Sequence, residues 1–375
     1  MSEPLQPRRL NPARLPLSKS TAAARRVAIV GAGLSGLACA RALLEAGATP
    51  RLFEKSRGVA GRMSTRRGEG WQCDNGAQYF TARDPAFRAE VGRWLDAGVA
   101  QRWQPRLRAF GPGAAVRVPD ESLERFVGVP GMTAPARRLA EGLPVEISCT
   151  VDALAREAGS WRLRCAERGW IDERFDAVLL AVPAPQAAAL LAGAADSGRT
   201  SPSVSGGAVA PDAIVRAAAA LETLSRTARM RACWALMLRY PARLELDFDA
   251  AFVNEGPLRW VARDAGKPGR AGPETWLLHA EAQWSEEHVD ESPERVAPIL
   301  VDAFKRLGGA TPAAWTAHRW RFADTAAPLA AGCVWNREAG LGLCGDWLAG
   351  GKVEGAWASG RALALAVLDA PGETR

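Results

Sequence analysis

The sequence predicts an α/β fold on a chain whose 375 residues are enough for two interleaved domains and a sizeable core. Residues 27–54 show the pattern of one strand–helix–strand unit. Residues 233–240 and 276–280 are apolar runs of strand length, followed by a predicted helix over 292–307. Residues 341–368 hold a further short strand and helix. Strands and helices are therefore expected together along the whole chain.

The first strand–helix–strand unit is the clearest element. Val27–Val30 is a short continuous apolar run, typical of a buried parallel strand. Leu34–Glu45 follows as an alanine-rich helix, and Gly47 ends it. Pro50–Glu54 is the second strand. The whole has the length expected of a βαβ unit.

Between this strand and helix the chain reads Gly-Ala-Gly-Leu-Ser-Gly over residues 31–36. Gly31 permits a tight turn off the strand, and Gly33 lets the backbone approach a diphosphate. Gly36 lets the helix and the strand pack closely. The pattern is typical of a Rossmann-like dinucleotide-binding unit.

The residues around this turn also favour a dinucleotide ligand. The helix start at Leu34 and Ser35 offers free N–H groups and a partial positive charge to phosphates. Glu54 ends the second strand, where an acidic residue accepts hydrogen bonds from a ribose diol. The alternative is a βαβ unit without a ligand, and the unit by itself allows either NAD or FAD.

Two further segments indicate FAD. The loop Arg57–Arg62 carries an arginine at each end and can cover and neutralise a diphosphate, unless it is simply a solvated basic loop. Gly345 and Asp346 end a late strand and can present a carboxylate to a ribityl chain. A helix starting near Val353–Ala356 would direct its positive end at the flavin ring. The alternative for this last segment is an ordinary glycine-rich loop before a helix.

The middle of the chain gives weaker patterns. Val145–Val151, Trp161–Cys165 and Ile171–Phe175 predict a β-meander, and Ala177–Val182 predicts a buried strand. Residues 193–213 are rich in glycine, serine and alanine and predict a surface loop.

Charge and composition argue against several classes of protein. Five of the seven net positive charges lie in the first 26 residues, so the body is near neutral and no nucleic-acid partner is expected. Residues 1–25 predict a disordered basic tail, with a transit peptide or an export signal as alternatives. Seven scattered cysteines without a CxxC pair predict reduced thiols and a cytoplasmic location. The three histidines lack metal-ligand spacing, and no apolar stretch predicts a membrane span.

With these motifs in place, the chain resembles the FAD-dependent amine oxidase superfamily of NAD(P)/FAD-dependent oxidoreductases, and within it the renalase-like branch. The segments that carry the resemblance are Val27–Glu54, Arg57–Arg62, Asp74–Thr81, Lys267–Arg270, Trp276–Ser285, His318–Ala323 and Gly345–Gly360.

The resemblance implies how the domains are divided. A discontinuous, Rossmann-like FAD-binding domain would take residues 26–80, 130–190 and 325–370. An inserted α+β substrate domain with a mixed or antiparallel sheet would take residues 81–129 and 191–324. FAD would lie between them, bound without a covalent link.

The resemblance also implies the cofactor residues. Glu54 would bind the adenosine ribose, Arg62 the diphosphate region and Asp346 the ribityl side, with a backbone contact from Val151 to the adenine end. The full set is Gly31, Gly33, Leu34, Ser35, Gly36, Glu54, Lys55, Gly61, Arg62, Asn75, Gly76, Ala77, Gln78, Val151, Gly345, Asp346, Val353, Glu354 and Ala356.

The substrate side is assigned to aromatic and imidazole side chains. Tyr79, His279 and Trp320 are the candidate catalytic residues, and Trp260 is a candidate wall of the cavity. For Tyr79 a core aromatic, and for His279 a satisfied core histidine, remain the alternatives. The turn Lys267–Arg270 either meets a substrate phosphate or is a solvated turn.

The resemblance implies oxidation of misreduced nicotinamide dinucleotides, the 2- or 6-dihydro isomers of NAD(P). Hydride would pass to the flavin, and O2 would accept the electrons to give H2O2. This chemistry yields an aromatic cation and needs no strong base, in keeping with so few histidines. The alternatives are an oxidase of small amines, which the presence of only two tyrosines disfavours, and a non-enzymatic FAD-binding redox sensor.

Overall fold

The structure, a computed structural model, describes residues 25–112, 123–200 and 211–369. The predicted basic tail therefore lies outside the described residues, apart from Arg25. The same holds for residues 201–210 of the predicted surface loop.

The strands of the described ranges, numbered in chain order, are β1 Arg26–Val30, β2 Thr49–Glu54, β3 Thr65–Gly68, β4 Trp71–Asp74, β5 Ala100–Arg102, β6 Leu107–Phe110, β7 Phe126–Gly128, β8 Val145–Ile147, β9 Val151–Glu157, β10 Ser160–Cys165, β11 Gly169–Trp170, β12 Ala177–Leu180, β13 Met230–Tyr240, β14 Ala250–Val253, β15 Leu258–Arg263, β16 Glu274–Ala280, β17 Ala314–Thr325, β18 Val334–Asn336 and β19 Leu341–Leu343. The α-helices are α1 Leu34–Glu45, α2 Pro85–Asp96, α3 Ala134–Ala140, α4 Ala184–Thr200, α5 Pro211–Thr227, α6 Ala282–Glu287, α7 Pro293–Arg306 and α8 Lys352–Leu368.

The first six-stranded sheet contains the first and the last strand of the described ranges. Its order is β18-β19-β12-β1-β2-β8, with β18 antiparallel to β19 and the other pairs parallel. Helices α1 and α8 pack against each other, and Ile29, Leu37 and Leu363 share one core. This is the Rossmann-like α/β arrangement that the sequence predicts, so the predicted fold class is confirmed.

The second six-stranded sheet has the order β17-β13-β16-β15-β14-β6. Its pairs are antiparallel except for β14 with β6, so it is the predicted mixed sheet. Helix α7 buries Val296, Leu300 and Phe304 against this sheet, where Phe304 contacts Trp276 at a centroid distance of 5.2 Å. The hairpin of β3 and β4 lies against the sheet through Cys73 and Leu277.

Two sequence predictions were wrong in part. Helix α4 runs to Thr200 and α5 begins at Pro211, so the described parts of the predicted loop over 193–213 are helical. Alanine is the strongest helix former, and the two helices pack on each other, which outweighs the scattered glycines and serines. The predicted strand Val145–Val151 is also divided: β8 joins the parallel sheet beside β2, and β9 begins a separate sheet.

The parallel sheet places three of the segments predicted to bind the cofactor at one edge. The carboxyl ends of parallel strands lie together at this edge, where α/β folds bind their ligands. The glycine turn follows β1, Glu54 ends β2, and Gly345 comes two residues after β19.

Candidate functional site

The glycine turn after β1 leaves the start of α1 open. Gly31 has φ +101°, and a Cβ there would lie 2.6 Å from the carbonyl oxygen of Ala181, so no side chain fits. Gly33 is the N-cap, no side chain caps the helix, and a Cβ on Gly33 would meet nothing within 4 Å. The first-turn N–H groups of α1 therefore have no side-chain cap and are candidates for binding a phosphate.

The carboxylate of Glu54 holds this turn in place. Its Oε2 accepts a hydrogen bond from the backbone N–H of Ala32 at 2.8 Å, and its Oε1 accepts one from Ser56 at 2.8 Å. Glu54 is buried, and each oxygen keeps a second lone pair. A ribose diol, the predicted partner of Glu54, would share these oxygens with the backbone.

The basic loop after β2 connects to the other end of the chain. Ala60 donates its N–H to the carbonyl oxygen of Ala32 at 3.0 Å, which lays the loop over the glycine turn. The Arg62 guanidinium then makes two hydrogen bonds to the Asp346 carboxylate, at 3.0 and 2.5 Å. It also donates to the carbonyl oxygen of Ala323 at 3.3 Å. Arg62 and Asp346 are 284 positions apart, so the structure brings together two residues that the sequence assigns to one ligand.

Helix α8 starts without a side-chain cap. Gly350 and Gly351 both have φ +73°, and Gly351 is the N-cap. A Cβ on Gly355 would lie 1.9 Å from the carbonyl oxygen of Ala349, so the first turn packs tightly on the preceding loop. The Glu354 carboxylate accepts from the backbone N–H groups of Arg83 and Asp84, which gives this predicted cofactor residue a structural partner.

The loop after β4 presents one backbone carbonyl to two predicted catalytic residues. His279 Nε2 donates to the carbonyl oxygen of Asn75 at 3.2 Å, and Trp320 Nε1 donates to the same oxygen at 2.8 Å. Ser64 Oγ donates to Asn75 Oδ1 at 2.6 Å. The structure thus gathers Asn75, His279 and Trp320 at one point, although they come from three distant segments.

His279 is neutral at physiological pH. Removal from water, with further contributions from the positive charges of Arg259 and Lys267, lowers the pKa of His279 to about 4. Since Nε2 carries the hydrogen that Asn75 accepts, Nδ1 is left as an acceptor. His279 can therefore orient a ligand by hydrogen bonding, but it is a poor general base at pH 7.

Tyr79 lies in an aromatic cluster. Its ring centroid is 6.2 Å from that of Trp103 and 5.6 Å from that of Trp260, and the Arg125 guanidinium lies 5.6 Å from the Tyr79 centroid. Trp260 in turn contacts Phe252 at 4.8 Å. Sequence reasoning missed Trp103 and Arg125 because no local pattern connects them to Tyr79.

A buried charge cluster, formed by Asp74, Asp264, Lys267 and Arg270, lies next to the end of β4. Lys267 Nζ is 3.1 Å from Asp74 Oδ2 and 2.9 Å from Asp264 Oδ1, and Arg270 also pairs with Asp74. The four side chains are at most 1% exposed. Lys267 further donates to Gln78 Oε1 at 3.2 Å. The solvated-turn interpretation of Lys267–Arg270 was wrong, because these side chains are buried against β4.

The two carboxylates of this buried charge cluster differ. Burial alone would raise the pKa of Asp74, but Lys267 and Arg270 hold it down to about 2. Burial, with the neighbouring Asp74 charge, instead raises the pKa of Asp264. Asp74 is thus the carboxylate that the two cations stabilise most, and it also accepts from the N–H of Met132 at 2.9 Å.

The remaining predicted cofactor residues surround the same edge of the parallel sheet. Ala77 donates its N–H to the carbonyl oxygen of Arg62 at 2.9 Å, which sets the loop after β4 beside the basic loop. Val151 is buried with Val30 and Phe53 behind the carboxyl ends of β1 and β2. Lys55 is exposed.

The residues present fit FAD. Ser35 Oγ is buried beside the glycine turn and has no hydrogen-bond partner within the described ranges, as a phosphate ligand would explain. The starts of α1 and α8 have no side-chain cap, and both are tied to the segments that carry the Arg62–Asp346 pair. Ala60 donates to the Ala32 carbonyl before α1, and Gly351, the N-cap of α8, donates to the Asp346 carbonyl at 2.8 Å. Such helix starts bind anionic groups.

The described residues contain no group of three or more histidine, cysteine, aspartate or glutamate side chains arranged to hold a metal. No helix among them is both long and apolar enough to cross a bilayer.

Two family models match this chain. A model described as an NAD(P)-binding Rossmann-like domain matches residues 29–93. A model described as flavin containing amine oxidoreductase matches residues 101–368, which is more than half of the chain.

Solved structures of similar fold cover nearly the whole chain. A proposed protoporphyrinogen oxidase from Exiguobacterium sp. 255-15 has a TM-score of 0.68 at 14% identity, over 92% of this chain and 99% of that one. Cyclohexylamine oxidase from Brevibacterium oxydans IH-35A has a TM-score of 0.65 at 13% identity, over 92% and 99%. Putrescine oxidase bound to putrescine has a TM-score of 0.59 at 13% identity, over 92% and 99%. At such low identity these similarities establish the fold.

Proposed function

This chain belongs to the flavin containing amine oxidoreductase family, and from that premise we propose that it is an FAD-dependent oxidase of misreduced NAD(P). Its substrates would be the 2- or 6-dihydro isomers, with O2 as electron acceptor and H2O2 as product. FAD, when bound, would supply the hydride acceptor that O2 reoxidises. The observation that carries the proposal is His279, a neutral imidazole fixed on the Asn75 carbonyl.

A neutral His279 suits a hydride donor that has no proton to lose. Oxidation of a dihydropyridine gives an aromatic cation directly, so the reaction depends on positioning rather than on a strong base. With Nε2 donating to Asn75, Nδ1 can accept from a carboxamide N–H or a ribose hydroxyl. In this role His279 orients the ring and moves no proton.

The aromatic cluster offers a surface for a planar ring. Tyr79, Trp103 and Trp260 supply flat faces, and Tyr79 keeps part of its surface exposed. Trp260 Nε1 is buried and has no hydrogen-bond partner among the described residues. An unpaired buried donor costs about 1–3 kcal/mol. A carboxamide oxygen from the substrate would remove that cost.

Small-amine oxidation is the second candidate, because paired aromatic rings before a flavin can also hold an ammonium group. Here the Arg125 guanidinium already lies 5.6 Å from the Tyr79 centroid. A cationic amine at Tyr79 would therefore meet a like charge. The family name by itself does not decide between the two substrates.

The cofactor residues would bind FAD without a covalent bond. The α1 start and Arg62 would hold the diphosphate, and Asp346 would hold the ribityl side, once the pair between Arg62 and Asp346 opens. Cys344, the cysteine next to Gly345, is fully buried. Acid denaturation should release all the flavin into the supernatant; yellow precipitate would contradict this part of the proposal.

The function is tested by anaerobic stopped-flow reduction of the bound flavin. The substrate panel contains NADH, NADPH, their 2- and 6-dihydro isomers, cyclohexylamine and putrescine. We expect rapid bleaching by at least one dihydro isomer and slow or no bleaching by amines. Bleaching by amines alone would establish the second candidate. Failure of every donor would favour the non-enzymatic redox sensor.

A further inference from the structure

Arg259 occupies a β-bulge beside the aromatic cluster. In the pairing of β15 with β16, Leu258 lies opposite Ala280 and Trp260 lies opposite His279, so Arg259 is the extra residue. Bulges redirect a side chain and are frequent next to active sites. The next residue of β15, Trp260, lies opposite His279 and contacts Tyr79, so Arg259 adjoins the candidate substrate site.

A second cation meets Arg259 across the boundary between the two six-stranded sheets. Arg259 Nη1 lies 3.5 Å from Asp324 Oδ2, and Lys352 Nζ lies 3.4 Å from the same oxygen. Asp324 is near the end of β17, while Lys352 is the first residue of α8. The preceding carbonyl, that of Ala323, accepts from Arg62. Cations from three segments therefore surround the end of one strand.

The ion pairs that hold Arg259 and Lys352 are weak. Arg259 and Lys352 share one carboxylate oxygen, and their side chains are 49% and 70% exposed. Exposed ion pairs of this kind contribute about 1 kcal/mol or less, so an anion can take over both cations easily. Lys352 also has φ +62°, a left-handed conformation that a non-glycine residue adopts at some cost and that clusters at functional sites.

We propose that Arg259 and Lys352 form a phosphate subsite for the diphosphate of a dinucleotide substrate at the edge of the candidate substrate site. This proposal rests on the proposed function and deepens it. The dihydropyridine ring would lie inward, by His279 and the aromatic cluster, with the charged linker outside. Arginine suits this position because its planar fork matches phosphate oxygens. A small amine has no group for such a site.

The experiment measures binding of ADP-ribose, a redox-inert probe that carries the diphosphate, to the FAD-loaded protein. Arg259→Gln is expected to weaken binding about tenfold, as for loss of a charge-assisted hydrogen bond. Lys352→Gln should act in the same direction, and Arg259→Lys should restore part of the affinity. Arg321→Gln is the matched control, since Arg321 is an equally exposed arginine on β17 that pairs with Asp290.

Three further readouts separate the possible outcomes. If dihydro isomers are oxidised, Arg259→Gln should lower kcat/KM for the dinucleotide and spare the phosphate-free dihydronicotinamide riboside. Equal ADP-ribose binding by the wild type and Arg259→Gln, or no binding by the wild type, would overturn the proposal. Loss of FAD from Arg259→Gln would assign the cations to the cofactor and overturn it as well. ADP-ribose binding that needs Arg259, with no dihydro isomer oxidised, would leave the subsite standing and reject the proposed function.

Discussion

The candidate cofactor edge, at the carboxyl ends of β1 and β2, and the candidate substrate cleft, the region around Asn75, Tyr79 and His279, are built in different ways. At the edge, the turn at residues 31–36 and Glu54 lie within one βαβ unit, and the candidate ligand-binding groups are backbone N–H groups. In the cleft, His279 reaches Asn75 across 204 positions and Lys267 reaches Asp74 across 193. Backbone-built sites leave a spacing signature in the sequence. Sites built from side chains of distant segments leave almost none.

The largest effect is expected when the buried charge cluster is disrupted, because side chains from distant segments meet there. Lys267→Met would leave Asp74 and Asp264 with Arg270 alone in a site that excludes water. Breaking a buried ion pair in this way costs about 3–5 kcal/mol. We expect that loss in the free energy of unfolding by urea, measured with FAD saturating.

Lys305→Met is the matched control for this prediction. Lys305 is an exposed lysine that pairs with Asp302 at 3.7 Å, and its replacement should change stability by less than about 0.5 kcal/mol. A loss below about 1 kcal/mol for Lys267→Met would mean that the cleft does not depend on the buried charges.

Glu54→Gln tests the cofactor edge. The amide can still accept one of the two backbone hydrogen bonds, from Ala32 or Ser56, but its NH2 group then faces the other N–H. We expect FAD to bind about tenfold more weakly, measured by flavin fluorescence on deflavinated protein. Glu69→Gln, in the exposed turn between β3 and β4, should bind FAD as the wild type does. Unchanged FAD affinity in Glu54→Gln would mean that Glu54 does not contribute to FAD binding.

The same contrast explains which sequence predictions succeeded. The βαβ unit was predictable because period, glycine spacing and the acidic strand end all lie within 28 residues, Val27–Glu54. The turn Lys267–Arg270 is locally a turn, as its Pro-Gly pair indicates, but its burial is decided by Asp74 on another element. Arg259 could not be singled out, because a bulge exists only in the register between two strands. The renalase-like branch and the individual site roles stay predictions.

The protonation of His279 gives a pH-dependent test of the candidate substrate cleft. Its folded pKa of about 4 lies below the ordinary 6.5, mainly because burial disfavours the charged ring. Its contribution to stability is therefore complete above pH 6.5 and is lost as the pH falls through 4. His279→Leu should reduce the fall of the unfolding free energy over this window, as measured by urea unfolding between pH 4 and 6.5.

The pH dependence of the flavin reduction rate tests the role of His279 kinetically. Since His279 is already neutral at pH 6, the reduction rate should show no step near pH 6.5 that disappears in His279→Leu. Such a step would mean that His279 acts as a base, and the hydride mechanism without a base would then fail.

The smallest expected effect concerns the Asn75 carbonyl, which receives hydrogen bonds from both Trp320 and His279. Trp320→Phe or His279→Leu alone leaves one donor in place, so each should cost about 1 kcal/mol at pH 7. Together they leave a carbonyl in the cleft without either donor, so the double variant should exceed the sum by about 1 kcal/mol. Trp315→Phe, an exposed tryptophan on the same strand, is the control. Strict additivity would mean that the two side chains do not act on one carbonyl. The shared hydrogen bonding of His279 and Trp320 to the Asn75 carbonyl would then be rejected.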